Sequence, residues 1–461
     1  MEHRVVIVGA GPAGTRCAET LVKQGLRPVV IDENSRDGGQ IYRRQPAQFS
    51  RGYEQLYGSE AAKAKALHDT FDGLRPHIDY RPDTTVWGLD GKVLFTQCAG
   101  EQREVPFDSL ILCTGATDRL LPTKGWELAG TYTLGGAQIA LKAQAVAIGH
   151  RVTFMGTGPL LYLVAAQYVK AGAEVAAVLD TSTLAQRCKA LPKMLARPGV
   201  LLNGLHLMYR LWRADIPLLS GIRPVEILGE PGTGVAAVTF HDRHGQLQRI
   251  ACDAVGMGYH LRPETQLADL AKCAFEFEAA GGQWVLQLDA DNRTSTASVY
   301  AAGDSARIRG ADAAEASGRL VAATLLADLR QPMPATFVER QRSDLATLER
   351  FRLGLAEAFA WPAGHAGLLS DDAVVCRCEV ITAGELRSAV RQKHACEANR
   401  AKAFSRVGMG RCQGRYCAQA GAQIIAREAG VPVQEVGRLR GQAPIRPLTI
   451  ALRDVTHKEL S

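Results

Sequence analysis

Short, largely apolar runs recur along the chain, and two of them lead directly into a glycine-rich loop and a helix. Residues 5–8 (VVIV) run into the loop at 9–14, and residues 152–155 (VTFM) run into the loop at 156–161. Apolar runs of this length are typical of strands buried on both faces of a parallel sheet. The repeated strand–loop–helix unit predicts an α/β protein with two dinucleotide-binding domains.

The first loop has the glycine spacing that a pyrophosphate requires. Gly9 allows a tight turn, and Gly11 lacks the Cβ atom that would keep a pyrophosphate away from the backbone. Gly14 lets the strand and the helix pack closely. The helix that begins with Pro12 and Ala13 then directs free N–H groups and a partial positive charge at the phosphates.

Two acids at the end of the second strand complete this nucleotide site. Residues 28–31 form an extended apolar segment that ends at Asp32, 23 residues after Gly9, and Glu33 follows. An acid at this distance accepts hydrogen bonds from ribose hydroxyls. The glycine loop alone is a weak signal, but strand, helix and acid stand in register and together predict a bound dinucleotide.

Three later segments identify that dinucleotide as FAD, because they resemble the glutathione-reductase and thioredoxin-reductase superfamily. GGQIY at 38–42 resembles the segment beside the FAD pyrophosphate and flavin, and LILCTGA at 110–116 resembles the "ATG" strand. VYAAGD at 299–304 resembles the late "GD" motif, in which the aspartate binds the ribityl chain. Outside this context an aspartate there is also a common helix cap. The resemblance implies that six residues bind FAD: Gly39, Gln40, Thr114, Gly115, Gly303 and Asp304.

The second glycine loop is altered. Gly156 and Gly158 are present to face phosphates, ahead of Pro159, but a leucine stands where the third glycine would be. The strand at 175–179 ends at Asp180, a second ribose acceptor. In the reductases that resemble this chain, the second site holds NAD(P)H. Two interpretations stay open: a bound adenine nucleotide, ATP or NAD(P)H, or a domain that is only structural.

Four of the eleven cysteines form two close pairs near the carboxyl end. Cys376 and Cys378 are followed, after 33 residues, by Cys412 and Cys417. Two pairs can hold the two irons of a [2Fe-2S] cluster, with tetrahedral zinc or two disulfides as alternatives. An odd cysteine count without a small-scaffold pattern indicates a reducing compartment, which disfavours disulfides.

The other cysteines are isolated, and none belongs to a CxxC motif. The dithiol mechanism of thioredoxin reductases is therefore excluded. Cys188 and Cys396, the latter between the two cysteine pairs, are interpreted with the rest as small core residues.

The net charge of +7 is concentrated at the carboxyl end. Residues 371–461 hold 15 Lys and Arg against 9 Asp and Glu, a net charge of +6. A solvated basic face is one explanation, and basic neighbours that favour reduction of an anionic cluster are the other. Nucleic-acid binding is not expected, because no platform of aromatic and basic residues occurs there.

No segment approaches 18 consecutive apolar residues, so no integral membrane span is expected. The first strand runs straight into the glycine loop, so it is not a signal peptide. A cytoplasmic protein is the expectation.

The cysteine segments and the flavoprotein segments together resemble one family. CRCE at 376–379 and GMGRCQGRYC at 408–417 resemble the bacterioferritin-associated-ferredoxin-like [2Fe-2S] domain, which implies that the four paired cysteines are the ligands. Nearly end to end, the chain resembles the A (alpha) subunit of opine oxidases and the related subunits of hydrogen cyanide synthase and D-hydroxyproline dehydrogenase.

That resemblance implies a division of labour between subunits. A partner that resembles glycine oxidase or D-amino-acid oxidase removes hydride from the C–N bond of an amino acid or opine. Electrons then pass to the alpha subunit, in some members through an FMN at the subunit interface, and onward through the [2Fe-2S] cluster. Further implications are a small ferredoxin-like subunit with its own [2Fe-2S] cluster, and peripheral association with the membrane respiratory chain.

We therefore predict an α/β fold with two Rossmann-like domains of the glutathione-reductase type and a small, mostly helical C-terminal [2Fe-2S] domain. The expected limits are 1–145 and 282–330 for the FAD-binding domain, 146–281 for the second nucleotide-binding domain, 331–370 for a helical connector, 371–430 for the [2Fe-2S] domain and 431–461 for a C-terminal tail.

The leading hypothesis for the function is the electron-transferring FAD/[2Fe-2S] subunit of a heteromeric amino-acid or opine dehydrogenase. The alternatives are a self-sufficient NAD(P)H-dependent reductase and a non-catalytic iron–sulfur module with an inert flavin fold. The sequence contains no recognisable Ser/His/Asp or paired-carboxylate constellation, which fits the first hypothesis, and no catalytic residue is assigned.

Overall fold

The computed structural model describes residues 3–449. Its amino-terminal part begins with the predicted strand–loop–helix unit and continues through a small antiparallel sheet. The elements are β1 (Val5–Val8), α1 (Pro12–Lys23), β2 (Val29–Ile31), α2 (Tyr53–Tyr57), α3 (Ala61–Leu74), β3 (Asp79–Arg81), β4 (Thr84–Asp90), β5 (Val93–Cys98), β6 (Glu101–Pro106), β7 (Ser109–Leu112) and β8 (Ala116–Asp118). β1 pairs in parallel with β2 and β7, and β4, β5 and β6 pair antiparallel.

The middle of the chain forms a second parallel sheet and its own antiparallel sheet. The elements are β9 (Thr131–Thr133), α4 (Leu134–Ala143), β10 (Arg151–Thr157), α5 (Pro159–Lys170), β11 (Glu174–Asp180), α6 (Leu184–Met194), α7 (Pro198–Arg213), β12 (Leu218–Ser220), β13 (Arg223–Glu230), β14 (Gly234–His241), β15 (Leu247–Ala251) and β16 (Ala254–Tyr259). The parallel sheet has the order β12-β11-β10-β16-β9.

The chain then returns to the first sheet. The elements are β17 (Leu261–Pro263), α8 (Gln266–Leu270), β18 (Phe275–Glu278), β19 (Gln283–Leu286), β20 (Val299–Ala301), α9 (Ala311–Asp328) and α10 (Ala335–Ala358). β20 pairs in parallel with β7, which gives the first sheet the order β20-β7-β1-β2-β3. The second parallel sheet is thus inserted into the sequence of the first.

The carboxyl-terminal part is small and mostly helical. The elements are β21 (Val374–Cys376), β22 (Ile381–Thr382), α11 (Ala383–Lys393), α12 (Ala398–Ser405), α13 (Ala418–Ala429) and α14 (Val433–Val436). Beyond α14 the chain crosses back to the first part, where the Ile445 amide donates to the Trp87 carbonyl at 2.9 Å. Together these elements confirm the predicted fold class.

No helix among residues 3–449 is both long and apolar enough to cross a membrane.

The start of α1 is held against α9 by a glycine that admits no substituent. A Cβ atom on Gly318, in the middle of α9, would lie 2.1 Å from the Ala13 carbonyl oxygen. This close crossing fixes the position of the first glycine loop relative to the segment that follows β20.

We expect Gly318→Ala to lower the free energy of unfolding by about 1–3 kcal/mol, because the added methyl group overpacks the α1–α9 contact. Gly73→Ala is the matched control: it also lies in a helix, but a Cβ there would have no atom within 4 Å. That variant should be neutral or stabilising by up to about 1 kcal/mol, since alanine favours helix more than glycine does. Chemical denaturation of both variants measures the difference, and equal stabilities would contradict the predicted crossing.

Candidate functional site

The glycine loop between β1 and α1 leaves space for a phosphate group. Gly9 has a φ of +112°, and a Cβ there would lie 2.2 Å from the Cys113 carbonyl oxygen, so only glycine fits. A Cβ on Gly11 would meet its nearest neighbour, the Gly39 Cα atom, only at 3.6 Å. Gly11 is also the N-cap of α1 and has no side chain to cap it, which leaves the first-turn amides for an anion.

Asp32 lies directly beside this loop. Its carboxylate accepts hydrogen bonds from the Ala10 amide at 2.6 Å and from the amide and side chain of Asn34 at 2.7 and 2.8 Å. Burial raises the pKa of Asp32. Glu33 is more exposed and pairs with Arg446, at 3.2 Å, so the carboxyl-terminal tail reaches the first nucleotide site.

The other segments expected to bind FAD also converge on this edge of the first sheet. Gly39 packs against Gly11 with a φ of +62°, whereas the Gln40 side chain is exposed and accepts a hydrogen bond from Arg43 at 2.9 Å. Gly303 has a φ of +72°, and a Cβ there would lie 2.8 Å from that of Ala13.

Asp304 follows in a short 3₁₀ turn that directly succeeds β20. One of its carboxylate oxygens accepts from the Arg309 amide at 3.2 Å, and burial raises the pKa of this side chain. Since β20, β7, β1 and β2 are neighbours in one parallel sheet, the segments after their carboxyl ends meet at one edge, where such folds bind dinucleotides. The uncapped helix, the open glycine face and the adjacent acid fit FAD.

Thr114 and Gly115 carry a contact that no sequence motif indicates. The Thr114 hydroxyl donates to the Glu264 carbonyl oxygen at 2.6 Å, and the Glu264 amide donates to the Gly115 carbonyl oxygen at 2.9 Å. The strand expected beside the flavin is therefore fastened to the segment between β17 and α8.

The second glycine loop has different surroundings, because its acid is already occupied. The Asp180 carboxylate is fully buried and accepts from the Thr157 hydroxyl, the Tyr162 hydroxyl and the Arg187 guanidinium, each at 2.8 Å. The Ser182 amide donates to it as well, at 2.7 Å. Four donors on two buried oxygens leave little capacity for a ribose hydroxyl.

The phosphate-facing glycine of this loop is covered by a side chain. A Cβ on Gly158 would lie 3.3 Å from Nδ1 of His260. His260 Nε2 in turn donates to the Phe359 carbonyl oxygen, just beyond α10, and the Phe359 ring lies 5.2 Å from the Arg187 guanidinium carbon. The segment after α10 therefore closes over the second loop. The nucleotide-binding role of Gly156, Gly158, Pro159 and Asp180 stays a prediction, and these contacts weigh against it.

Trp361 extends the same closure toward the first domain. The Arg119 guanidinium carbon lies 3.7 Å from the centre of the Trp361 ring. Arg119 also donates to the carbonyl oxygens of Gly281 and Gly282, at 2.7 and 3.1 Å, and burial lowers its pKa to about 9.

The four cysteines lie in two pairs that differ from the pairs in the sequence. The Cys417 thiol hydrogen-bonds Cys376 and thereby lowers the pKa of Cys376 to about 6. Cys378 interacts with Cys412, whose pKa is raised by burial and then by the charge of Cys378. Each spatial pair thus takes one cysteine from each end of the domain.

This arrangement fits two irons better than one metal ion. Within residues 3–449, no three His, Cys, Asp or Glu side chains are grouped around a single point that could hold one ion. Tetrahedral zinc needs four ligands around one centre, whereas the two irons of a [2Fe-2S] cluster share four thiolates. The Cys376–Cys417 pair is buried and Cys378 is exposed, so the two iron positions differ in their access to solvent.

A buried ion pair joins the cysteine loop to the flavin-side segment. Nε of Arg415, between Cys412 and Cys417, donates to Glu264 at 2.6 Å, and the two side chains are 5% and 6% exposed. Arg415 also donates to the Cys412 carbonyl oxygen at 3.2 Å. Burial acts to raise the pKa of Glu264, but the charge and hydrogen bonds of Arg415 outweigh it, and the pKa is lowered.

Two further hydrogen bonds support this junction. The Arg262 guanidinium donates to the Arg415 carbonyl oxygen at 2.9 Å, and the Gln266 side chain donates to the Gln413 carbonyl oxygen at 2.7 Å. Sequence reasoning missed Glu264, Arg262 and Gln266, since none belongs to a motif. Arg415 carried the only available signal, its place within the cysteine loop.

Two cysteines lie elsewhere than expected. Cys188 and Cys396 are exposed, not core residues, because α6 and the turn before α12 leave them at the surface.

Two family models match the chain. Residues 3–318 match the pyridine nucleotide-disulphide oxidoreductase family, and residues 374–427 match the BFD-like [2Fe-2S] binding domain. Fold and sites therefore define an FAD-dependent oxidoreductase with an added [2Fe-2S] domain.

Its relatives narrow this class. The alpha (A) subunit of opine oxidase from Rhizobium meliloti is 36% identical, and the match covers 97% of this chain and 86% of the relative. The HcnB subunit of hydrogen cyanide synthase from Pseudomonas aeruginosa is 32% identical, and the match covers 97% of each chain. The chain belongs to the family of these subunits.

A solved structure shares the fold. The L-proline dehydrogenase structure from P. horikoshii superposes with a TM-score of 0.68, covers 98% of this chain and 81% of its own, and is 18% identical in sequence.

We expect Glu264→Gln to weaken the junction between the two candidate sites, because it leaves the Arg415 guanidinium buried without a counter-charge. Removal of one partner from a buried ion pair costs about 3–5 kcal/mol. Denaturation followed by visible circular dichroism of the cluster should show an earlier loss of the signal. Glu276→Gln is the control, since its pair with Arg307 is at the surface and worth about 1 kcal/mol or less. Equal midpoints for the two variants would contradict this role.

Cys412→Ser should remove the visible absorbance and the bound iron of the cluster while FAD is retained, because one of four thiolate ligands is lost. Cys396→Ser, an exposed cysteine of the same domain, should keep both cofactors. Iron analysis and absorption spectra of protein purified without oxygen measure this. A normal cluster spectrum in Cys412→Ser would show that the ligand assignment is wrong.

Proposed function

We propose that this chain is the electron-transferring subunit of a heteromeric dehydrogenase that oxidises the C–N bond of an amino acid or opine on a partner subunit. Support comes from the family, whose members include proteins named as opine oxidase and hydrogen cyanide synthase subunits. The observation that carries the proposal is the Glu264–Arg415 pair, which connects the candidate flavin and cluster sites within one chain.

The chain's own residues mainly hold and orient cofactors. When bound, FAD takes up electrons in pairs and a [2Fe-2S] cluster passes them singly. The amides at the start of α1 would face the FAD pyrophosphate, Asp32 the ribose and Asp304 the ribityl chain. The paired cysteines would hold the cluster.

Positive charge beside the cysteines would stabilise a more negative cluster. Arg262 and Arg415 lie at the cysteine loop, and Arg262 is close enough to Cys412 and Cys417 for their charges to act on its pKa. These two residues give the basic carboxyl-terminal part a local role besides solubility. Burial lowers the pKa of Arg262, and the charge of Glu264 opposes that shift.

The partner in this proposal is a flavoprotein subunit that resembles glycine oxidase or D-amino-acid oxidase. An FMN at the interface, a small ferredoxin-like subunit, and peripheral contact with the membrane respiratory chain complete the proposed complex. The substrate then binds the partner, in keeping with the lack of an acid–base constellation in this sequence.

A self-sufficient NAD(P)H-dependent reductase is the weaker candidate. It would need a nicotinamide nucleotide in the second domain, where Asp180 is saturated by internal donors and Gly158 is covered by His260. We propose that the second domain serves chiefly as a scaffold for the segment after α10.

The test is anaerobic reduction of the flavin band in the chain purified alone and co-purified with its partner subunit. We expect NADH and NADPH to leave the band unchanged within the time of turnover. A panel of opines and D-amino acids added to the complex should bleach it, and the same panel added to the chain alone should not. Rapid bleaching of the isolated chain by NADH would overturn the proposal in favour of the reductase.

A further inference from the structure

Two consecutive helices expose an unusual number of large apolar side chains. Of the 18 large apolar residues exposed among residues 3–449, eight lie between 184 and 212. Leu184 and Trp212 are the most exposed, at 69% and 67%. The eight are Leu184, Leu191, Leu195, Val200, Leu202, Leu205, Tyr209 and Trp212. Exposed apolar residues gathered in this way mark an interaction surface.

On α7 the exposed residues form one stripe. Leu202, Leu205, Tyr209 and Trp212 follow the spacing i, i+3, i+7 and i+10, which places them on one side of the helix. The buried side is different: Leu211 is fully buried, in the same core as α5. The helix is therefore apolar on two sides, and its own chain covers one of them.

On α6 the pattern repeats. Leu184, Leu191 and Leu195, the last just after the helix, follow the spacing i, i+7 and i+11 and share one side. Met194 is turned instead toward α10, where a Cβ on Gly354 would lie 2.9 Å from its side chain. We call the exposed sides of residues 184–213 the α6–α7 face.

The charge of this segment has a single sign. No Asp or Glu occurs between Asp180 and Asp215, whereas six Lys and Arg do. Three of the six are held in ion pairs with acids of other segments. The other three are exposed and have no acidic partner within the described part of the chain: Lys189, Arg210 and Arg213.

We propose that the α6–α7 face docks on an anionic lipid bilayer. Leucine, tryptophan and tyrosine exposed beside unpaired cations are the composition of helices that lie in the membrane interface. A complete lack of acids matches a negatively charged surface, which attracts each nearby cation. A protein partner would not require charge of one sign, and lysine is depleted in protein interfaces. The inference deepens the proposed function, since it places the electron-transferring subunit beside a membrane acceptor, and rests on it only for that purpose.

The experiment is co-sedimentation of the full chain, with its cofactors, with two kinds of vesicle. One is pure phosphatidylcholine and the other an equal mixture of phosphatidylcholine and phosphatidylglycerol. We expect binding to the mixed vesicles that weakens as salt is raised, and about tenfold or more weaker binding to neutral ones. Leu202→Gln with Leu205→Gln, and separately Arg210→Gln with Arg213→Gln, should each weaken binding about tenfold or more.

Leu247→Gln is the matched control, because Leu247 is similarly exposed, at 62%, but lies on β15 outside the face. It should bind vesicles as the wild type does. All variants should retain their flavin and cluster spectra, which shows that they are folded. Tyr209 and Trp212 offer a second readout, since Trp212→Phe should remove a blue shift of fluorescence on vesicle addition.

Failure to bind mixed vesicles, or equal loss in Leu247→Gln, would overturn the membrane assignment. So would a change of mass in analytical ultracentrifugation that only Leu202→Gln with Leu205→Gln abolishes, since the face would then hold another protein. Reduction of the flavin by partner and substrate in the absence of lipid is measured separately, so failure of the proposed function is distinguishable from failure of this face.

Discussion

The arrangement of this protein depends on one buried ion pair, between Glu264 and Arg415. A charge that is buried without a partner is strongly unfavourable, so each of these side chains fixes the position of the other. Glu264 is bound through its backbone to Thr114 and Gly115, and Arg415 lies inside the cysteine loop. The small C-terminal domain is therefore attached to the flavin-side segment at a defined point, with its cysteines close to that junction.

The second Rossmann-like unit shows how the same local pattern can serve another purpose. Asp32 and Asp180 both follow a strand of a glycine-loop unit, and each is buried. Asp180, however, receives donors from Thr157, Tyr162 and Arg187, and the segment after α10 covers its loop. The packing of that segment, more than the loop sequence, separates the two units.

Several features could be predicted because they depend on short stretches of sequence. The strands β1 and β20 occur at the predicted residues, and the expected helices at 337–359, 383–391 and 419–428 occur within a few residues of their predicted ends. Cys188 and Cys396 were misplaced because burial is set by packing, which a lone cysteine does not reveal. The pairing of cysteines across the domain, and the partner of Arg415, join residues far apart in the sequence.

The sequence by itself determined the two glycine-loop units, the positions of their acids and the four cysteine ligands proposed for the cluster. Each of these is a pattern of neighbours, in which spacing along the chain dictates local geometry. Only the tertiary structure decided that Asp180 is saturated, that Cys376 meets Cys417, and that α6 and α7 leave an apolar side uncovered. The physical reason is that desolvation and hydrogen-bond saturation depend on which distant segments come into contact, and no local spacing encodes that.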